Sequence, residues 1–450
     1  MEKNNLIRDF TDGKLFSQMI RFTIPFVIAN LLQTLYTVVD LAIVGHCADG
    51  AAMAAVSIAG EVSMLITLIG SGIANGGQIY IAQLLGQKRR SEMNHAIGTF
   101  FTFGIIAAVF VAVVCFAGSR LLLSWLNTPE EAMDSALAYL RMCCPGFLFV
   151  FGYNCVCAVL RGMGESKAPT VFVAITAGVN VVGDLILVMG LRWGAFGAAL
   201  ATVLSQAAAF VASLVFLYRR REEAGFDFHR TSFRPEREKL YIILRLAFPL
   251  VAMQMAINIS MLFVSAYINV FGTAAASISG IGNKLYSVIS VVSGAFSAAM
   301  ATVVGQNLGA GKIHRIRNAM RISVVVNMVF FVLIAVIVLL FPTGVFRIFT
   351  NDADVLALAP SYLQIAIWAY LCFALMHPAL GLINGVGNTN LSFIIGVLDG
   401  VVARIGLSML LGDHMGMWGY FWGYCLAGSV SVIVGWLYYF SHRWEKRKPL

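Results

Sequence analysis

The chain has 450 residues, of which 59% are hydrophobic and only 12% are charged. A soluble chain of this length carries far more charged surface, so the composition excludes a soluble enzyme. The net charge of +9 would suit a surface that binds nucleic acid. The lysines and arginines, however, gather in short gaps between long apolar segments. This distribution indicates a membrane protein and argues against a nucleic-acid partner.

Long apolar stretches predict twelve membrane-spanning helices, and thus an all-α, polytopic membrane protein. Charges, glycine clusters or prolines bound each stretch. The predicted helices cover residues 15–43, 53–84, 94–117, 132–160, 168–190 and 194–218, then 239–270, 274–308, 315–341, 355–383, 390–412 and 416–441. The first 21 residues show no cleavage pattern of a signal peptide, so we expect the first span to be retained.

The eight cysteines lie in or at the edge of apolar segments, without the spacing or the accompanying histidines of a zinc site. We expect them to be small buried side chains, as free cysteines commonly are. They are Cys47, Cys115, Cys143, Cys144, Cys155, Cys157, Cys372 and Cys425.

One extended polar segment divides the chain near its midpoint. The sequence predicts an amino-terminal lobe of residues 1–218, a cytoplasmic linker of residues 219–238 and a carboxy-terminal lobe of residues 239–450. With both termini in the cytoplasm, the inner gaps hold 25 of the 31 basic residues and the outer gaps hold 4. This bias is the positive-inside pattern, so we predict a multi-pass protein of the cell membrane with both termini cytoplasmic.

The two halves are internal repeats, because one nearly constant shift along the chain aligns their landmarks. Pro25 aligns with Pro249, and Gln83 aligns with Gln306. Each copy has six spans, so both copies enter the membrane in the same orientation. This predicts two pseudo-symmetric six-helix bundles around an axis along the membrane normal, with a cleft that rocking exposes to each side in turn.

Ionisable residues within spans are functional candidates, because each costs about 2.5 to 3.5 kcal/mol at a helix centre on insertion scales. Asp399 and Arg404 are expected to pair with each other, and Lys284 either lines the cleft or contacts a lipid headgroup. The full set is Asp40, Glu61, Asp184, Lys284, Asp399 and Arg404.

Two of these acids have polar neighbours on their own helix face. Gln33, Tyr36 and Asp40 follow the spacing i, i+3 and i+7, and Asn180 and Asp184 follow i and i+4. Two carboxylates with an amide form an oxygen-rich pocket that can ligate a hard cation such as Na⁺ or share a proton.

Thr202 in the sixth span can reach the same space and would add a hydroxyl. The predicted cation-coupling site, and the possible Na⁺ site, therefore consists of Asp40, Asn180, Asp184 and Thr202. The alternative is that the two acids only join helices by hydrogen bonds. The second half lacks this set, because its equivalent positions hold Val264, Ala403 and Leu407 in place of Asp40, Asn180 and Asp184.

Pro25 interrupts the first span fifteen residues before Asp40 and leaves a carbonyl group one turn earlier without its helical donor. This predicts a bend or hinge. Pro249 repeats the feature in the other half, so a purely architectural kink is an equal alternative.

Together these features resemble the multidrug and toxic compound extrusion (MATE) family, and specifically its DinF-like branch. The resemblance covers essentially the whole chain and includes the motif from Pro25 through Gln33 and Tyr36 to Asp40. It implies outward antiport of organic, often cationic and amphipathic compounds against inward H⁺ or Na⁺. It also implies that the cation site lies in the amino-terminal lobe, with Tyr36 and Asn154 as polar partners.

The NorM-like branch of that family has an acidic residue in the seventh span. At that place this chain reads Met253, Gln254, Met255, Ala256 and Ile257, so coupling through the second lobe is not expected. The residues predicted to contact substrate in the cleft are Gln33, Tyr36, Asn154, Met253, Gln254 and Lys284.

Two other functions are alternatives for a membrane protein of this build. A lipid or lipid-linked oligosaccharide flippase has a similar two-lobe build, but pyrophosphate binding favours several basic residues in the cleft, and only Lys284 and Arg404 are available there. A membrane-embedded enzyme would need a nucleophile, an acid–base pair or a metal cluster at one depth, and the sequence has neither an H-E-x-x-H motif nor paired intramembrane histidines. The sequence therefore predicts a monomeric antiporter that works by alternating access, with a small amphipathic substrate, membrane lipid around it, and no cofactor except the coupling ion.

The topology can be tested with alkaline phosphatase, which is active only outside the cytoplasm. A fusion within the predicted outer gap between residues 117 and 132 should be active, and one within residues 219–238 should be inactive. An active fusion within the linker would contradict the predicted orientation.

Overall fold

The computed structural model describes residues 6–47 and 50–450, without the side chains at 41–42, 46–47 and 50–52. Within these residues the chain is almost entirely helical, and twelve helices are long and apolar enough to cross a membrane. This confirms the predicted all-α, twelve-span architecture.

We number the twelve spans α1 to α12 in chain order. The first six are α1 (Leu15–Cys47), α2 (Gly50–Gly86), α3 (Arg90–Trp125), α4 (Glu130–Gly162), α5 (Lys167–Asp184, continued by a π-helix Leu185–Gly190) and α6 (Gly194–Arg219). The next five are α7 (Arg237–Asn269), α8 (Thr273–Gly309), α9 (Ile313–Leu340), α10 (Ala353–Gly385) and α11, which joins Thr389–Gly396, a π-helix Val397–Ile405 and Gly406–Met415. The last is α12 (Met417–Phe440).

By packing, the described chain divides into two units. The first unit contains the residues up to Asp9 and Arg21–Val251, and the second contains Phe10–Ile20 and Ala252–Leu450. The linker and the start of α7 thus pack with the first unit. The predicted lobe boundary at residues 219–238 stays a prediction about the sequence repeat.

Two glycines of α2 explain why the start of α7 packs in the first unit. Gly72 and Gly76 lie one turn apart on α2. A Cβ atom at Gly72 would lie 3.0 Å from the backbone nitrogen of Val251, and one at Gly76 would lie 2.9 Å from that of Ala247. Membrane helices approach this closely where small residues leave room between the backbones.

The linker folds onto α3. Asn94 Nδ2 donates to Asp227 Oδ2 at 2.8 Å, and Thr102 Oγ1 donates to the Phe233 carbonyl at 2.7 Å. Phe226 is fully buried. Because aromatic burial and hydrogen bonds both hold the segment to one helix, the linker is a docked loop of the first unit.

Asp227 stabilises the turn of this loop. The Ser232 hydroxyl donates to Asp227 Oδ1 at 2.6 Å, and the His229 backbone amide donates to the same oxygen at 2.9 Å. These bonds favour the charged carboxylate and lower the pKa of Asp227 to about 2. Since this pKa is lower than the ordinary 3.8, the stabilisation is present above pH 3.8 and is lost as the pH falls towards 2.

The cysteines that the structure describes are buried and carry no disulfide bond. This confirms the expectation for Cys115, Cys143, Cys144, Cys155, Cys157, Cys372 and Cys425. The side chain of Cys47 lies outside the described part of the chain.

Gly98 of α3 provides a test of the docked linker. A Cβ atom there would lie 1.8 Å from the Ser232 carbonyl oxygen, so Gly98→Ala is expected to displace the loop and cost about 1 to 3 kcal/mol, as overpacking does. The thermal melting of the purified protein and the protease sensitivity of the linker would report this change. Gly118→Ala on the same helix is the control, because nothing lies within 4 Å of its Cβ position. Equal behaviour of the two variants would contradict the docking.

Candidate cation site

Two helices of the first unit position the acidic residues. Asp40 lies on α1 and is half-buried, whereas Asn180 and Asp184 lie on α5 with exposed fractions of 2% and 0%. Asp184 is the last residue of the α-helical part of α5, and the π-helix begins at Leu185. Such π-helical turns widen a helix locally and occur frequently at functional sites.

The structure brings the two carboxyl groups together. The side chains of Asp40 and Asp184 lie within hydrogen-bonding reach of each other. No lysine or arginine in the described part of the chain contributes to the electrostatic surroundings of either group. Two adjacent carboxylates cannot both remain charged without compensation, so the pair needs a proton or another cation.

Four buried oxygen atoms at this place receive no hydrogen bond from the residues that the structure describes. They are Oδ1 of Asp40, Oδ1 of Asn180, and both carboxyl oxygens of Asp184. Leaving such groups unpaired costs several kcal/mol in total. Carboxylate and amide oxygens suit H⁺ or a hard cation such as Na⁺. In the described residues no group of three or more His, Cys, Asp or Glu side chains could hold a metal ion, so the set differs from a transition-metal site.

Thr202 lies on α6, which packs closely against α5. A Cβ atom at Gly183 would lie 2.9 Å from the Cβ atom of Ala201, so the two helices touch beside Asp184 and beside Thr202. Thr202 is half-buried. The close approach puts Thr202 on the helix turn nearest the acids, and its role as a ligand stays a prediction.

Pro25 lies within a continuous α1, and the helix continues on both sides of it. Its carbonyl oxygen accepts a hydrogen bond from Thr170 Oγ1 of α5 at 2.7 Å. The same hydroxyl lies 3.0 Å from the Ser166 carbonyl of its own helix. The helices that carry Asp40 and Asp184 are therefore also joined near Pro25, whose role as a hinge stays a prediction.

Sequence reasoning missed Tyr139 of α4. This tyrosine is buried, and its hydroxyl lies within electrostatic range of both Asp40 and Asp184. The only signal in the sequence was its alignment with Tyr362 in the second repeat. The alignment shows that Tyr139 and Tyr362 occupy equivalent positions in the two repeats. It does not indicate which side chains of other helices lie beside Tyr139.

The other residues predicted in the first unit take different places. Tyr36 lies near Asp40. The Asn154 amide donates to the Val150 carbonyl of its own helix at 2.9 Å, and Gln33 is exposed. Of these three side chains, only Tyr36 is thus placed beside the acid pair.

The residues predicted in the second unit differ in burial. Met253 is buried, and a Cβ atom at Gly396 would lie 2.5 Å from its Cγ, so Met253 packs against α11. Gln254 is half-buried and Lys284 is exposed. Contact of any of them with a substrate stays a prediction.

Comparison with known families places both repeats in one family. The family model MatE matches residues 25–186 and again residues 249–410, which is more than half of the chain. The matched segments begin at Pro25 and Pro249 and are equally long, so one shift relates both their beginnings and their ends. Asp40, Asn180 and Asp184 lie within the first match.

The chain is similar over nearly its full length to several known proteins. The probable multidrug resistance protein YpnP of Bacillus subtilis is 27% identical over 440 residues, with 98% of each chain covered. The probable multidrug resistance protein YoeA of the same organism is 24% identical over 444 residues, covering 96% of this chain and 95% of that protein. A crystal structure of MATE in the bent conformation superposes with a TM-score of 0.90 at 22% identity, with 96% of each chain covered, and shows the shared fold.

The bond between α5 and α1 can be tested by removing the donor. Thr170→Val keeps the side-chain shape but loses the hydroxyl, so it is expected to lower the free energy of unfolding by about 0.5 to 1.5 kcal/mol. Thr170→Ser retains the donor and is the matched control. Thermal melting of the purified proteins would measure both, and a serine variant as unstable as the valine variant would show that the hydrogen bond is not responsible.

Proposed function

We propose, from the premise that this chain belongs to the MATE family, that it is a secondary active antiporter of the cell membrane. It exports amphipathic, often cationic compounds in exchange for inward H⁺ or Na⁺, and it works as a monomer surrounded by lipid. The relatives named as multidrug resistance proteins support the substrate class. The absence of an acidic residue from positions 253–257 supports a DinF-like pattern of coupling.

The observation that carries this proposal is the uncompensated acid pair. Asp40 and Asp184 lie on different helices and carry four unpaired oxygens together with Asn180. A site with this chemistry takes up a cation when it is accessible from one side and releases it when it is accessible from the other. A purely structural pair of acids would instead use its oxygens in hydrogen bonds between helices.

Coupling follows from the charge of the pair. With a cation bound, the two carboxyl groups attract a common partner and hold α1 against α5. Without it they repel, and α1 moves away from α5 beyond the fixed contact between Thr170 and Pro25. In the outward-facing state the cation binds and displaces the substrate, and in the inward-facing state the cation leaves and a new substrate binds.

The driving force is sufficient for export. One net charge that moves inward releases about 2.3 kcal/mol per 100 mV, which corresponds to a concentration ratio of roughly 50. The comparisons do not favour the alternative of a lipid flippase, since the named relatives are multidrug resistance proteins.

Efflux measured in proteoliposomes, with the pH gradient and the sodium gradient imposed separately, tests the proposal. Asp40→Asn and Asp184→Asn should each reduce gradient-driven efflux of a cationic dye at least about tenfold, because an amide cannot carry the charge that binds the cation. Both proteins should remain folded, because the substitution preserves size.

Glu61→Gln is the matched control, because Glu61 is an exposed acid within α2 and should be dispensable. Dye efflux at the wild-type rate in both aspartate variants would refute the role of the pair. Efflux by the wild-type protein that responds to neither gradient would refute antiport.

A further inference from the structure

A similar contact between two helices occurs in each unit and indicates how the two sequences align. In the first unit, a Cβ atom at Gly197 would lie 3.1 Å from the Leu187 carbonyl oxygen. In the second unit, a Cβ atom at Gly419 would lie 2.0 Å from the Leu411 carbonyl oxygen. The two leucines, on α5 and α11, are separated along the chain by the same shift that relates the two family matches. The shift between the two glycines, on α6 and α12, is two residues shorter than the shift between the two leucines.

This register gives the candidate cation site a counterpart in the second unit. It places the equivalents of Asn180 and Asp184 one residue later than the sequence alone suggested. Burial agrees at the second position, because Ser408 is buried like Asp184, whereas Leu407 is half-buried. At the first position Ala403 and Arg404 are both buried like Asn180. The equivalences are Asp40 with Val264, Asn180 with Arg404, Asp184 with Ser408 and Thr202 with Tyr424.

Arg404 forms a buried ion pair at this position. Its Nη2 donates to Asp399 Oδ1 at 2.9 Å, as the sequence predicted. The two residues are five positions apart within the π-helix of α11, whose wider turn brings such positions onto one face. The Ser431 hydroxyl donates to the other Asp399 oxygen, so the carboxylate is fully paired.

The guanidinium group is less completely bonded than the carboxylate. Nε and Nη1 of Arg404 are buried and receive no acceptor of normal hydrogen-bond geometry among the described residues, although the Tyr286 hydroxyl of α8 lies within reach of the guanidinium group. The Cζ atom of Arg404 lies 4.9 Å from the centroid of the Tyr424 ring, within the range of a cation–π contact. A connector between helices would use its donors in hydrogen bonds, so the position of Arg404 is better explained by its charge.

We propose that the guanidinium group of Arg404 is a covalently attached cation. It occupies, in the second unit, the position where the first unit binds an exchangeable cation. It compensates Asp399 permanently and thereby limits ion coupling to the first unit. Without it, Asp399 and Ser431 form a second site for a proton or an alkali cation. This inference rests on the proposed antiport for its meaning, although the site itself can be tested independently.

Among the described side chains around Asp399, Arg404 is the one basic group whose charge acts on Tyr286, Tyr424 and Cys425. The titratable groups of the described residues that are shown to face the pair are neutral in their ordinary state. These groups are Tyr286 of α8, Cys372 of α10, and Tyr424 and Cys425 of α12. Removing the guanidinium therefore leaves a buried carboxyl group whose charge only an external cation can neutralise.

The experiment uses the full chain with Asp40→Asn and Asp184→Asn as the parent, so that the first site contributes nothing. Arg404→Gln and Arg404→Lys are added to it, and Asp399→Asn is combined with the parent and with each of these two variants. The apparent Tm of each purified protein is measured over a pH series and over a NaCl series balanced with choline chloride. Arg404→Gln should acquire a cation-dependent shift of at least about 2 °C, and the added Asp399→Asn should remove it. The parent and Arg404→Lys should show no shift that depends on Asp399.

Two results would overturn the proposal. One is an equal response of Arg404→Gln with and without Asp399→Asn. The other is an Asp399-dependent response in the parent or in Arg404→Lys. This second result can be measured even when Arg404→Gln cannot be purified. Loss of folding in Arg404→Gln that Asp399→Asn restores would support it, because the unpaired carboxylate is then the cause. Failure of the antiport proposal would appear separately, as unimpaired efflux in variants of Asp40 and Asp184.

Discussion

The mutual repulsion of two carboxyl groups within membrane-spanning helices is the constraint on which the first unit depends. In the described part of the chain Asp40 and Asp184 approach each other without a basic side chain beside them, and the oxygens of Asn180 and Asp184 receive no donor. Such an arrangement is costly within a membrane-spanning segment and marks a functional candidate, which is the basis of the proposed cation coupling. The close approach of Gly183 to Ala201 and the π-helical turn after Asp184 position Asp184.

The two units solve the same electrostatic problem in different ways. No basic side chain in the described part of the chain compensates Asp184, whereas Arg404 and Ser431 compensate Asp399. Duplication of one six-helix unit would give two equivalent pockets, and the side chains then decide which of them remains exchangeable. An internal guanidinium cannot leave, so under the proposed mechanism the repeat that contains Arg404 does not take part in ion coupling.

Packing in each unit relies on backbones that approach each other closely. Gly72 and Gly76 admit the start of α7, and Gly98 admits the linker loop at Ser232. In a membrane the hydrophobic effect does not distinguish one apolar helix from another, so such contacts determine which helices associate. These glycine contacts also explain why the first unit extends past the polar linker into the start of α7. A charged segment in water can still fold against a helix end.

The sequence alone determined the number of spans, the helical fold class and the repeat, because length, hydropathy and charge act along the chain. It also singled out Asp40 and Asp184 as candidates, since an acid within a span is conspicuous wherever it points, and Asn180 through its i, i+4 spacing from Asp184. Only the tertiary structure decided that the two acids meet, that Tyr139 lies near them, and that Arg404 pairs with Asp399. These facts depend on the rotation and depth of each helix against its neighbours. Glycine contacts and π-helical turns set that placement. They leave no periodic signal in an almost uniformly apolar sequence.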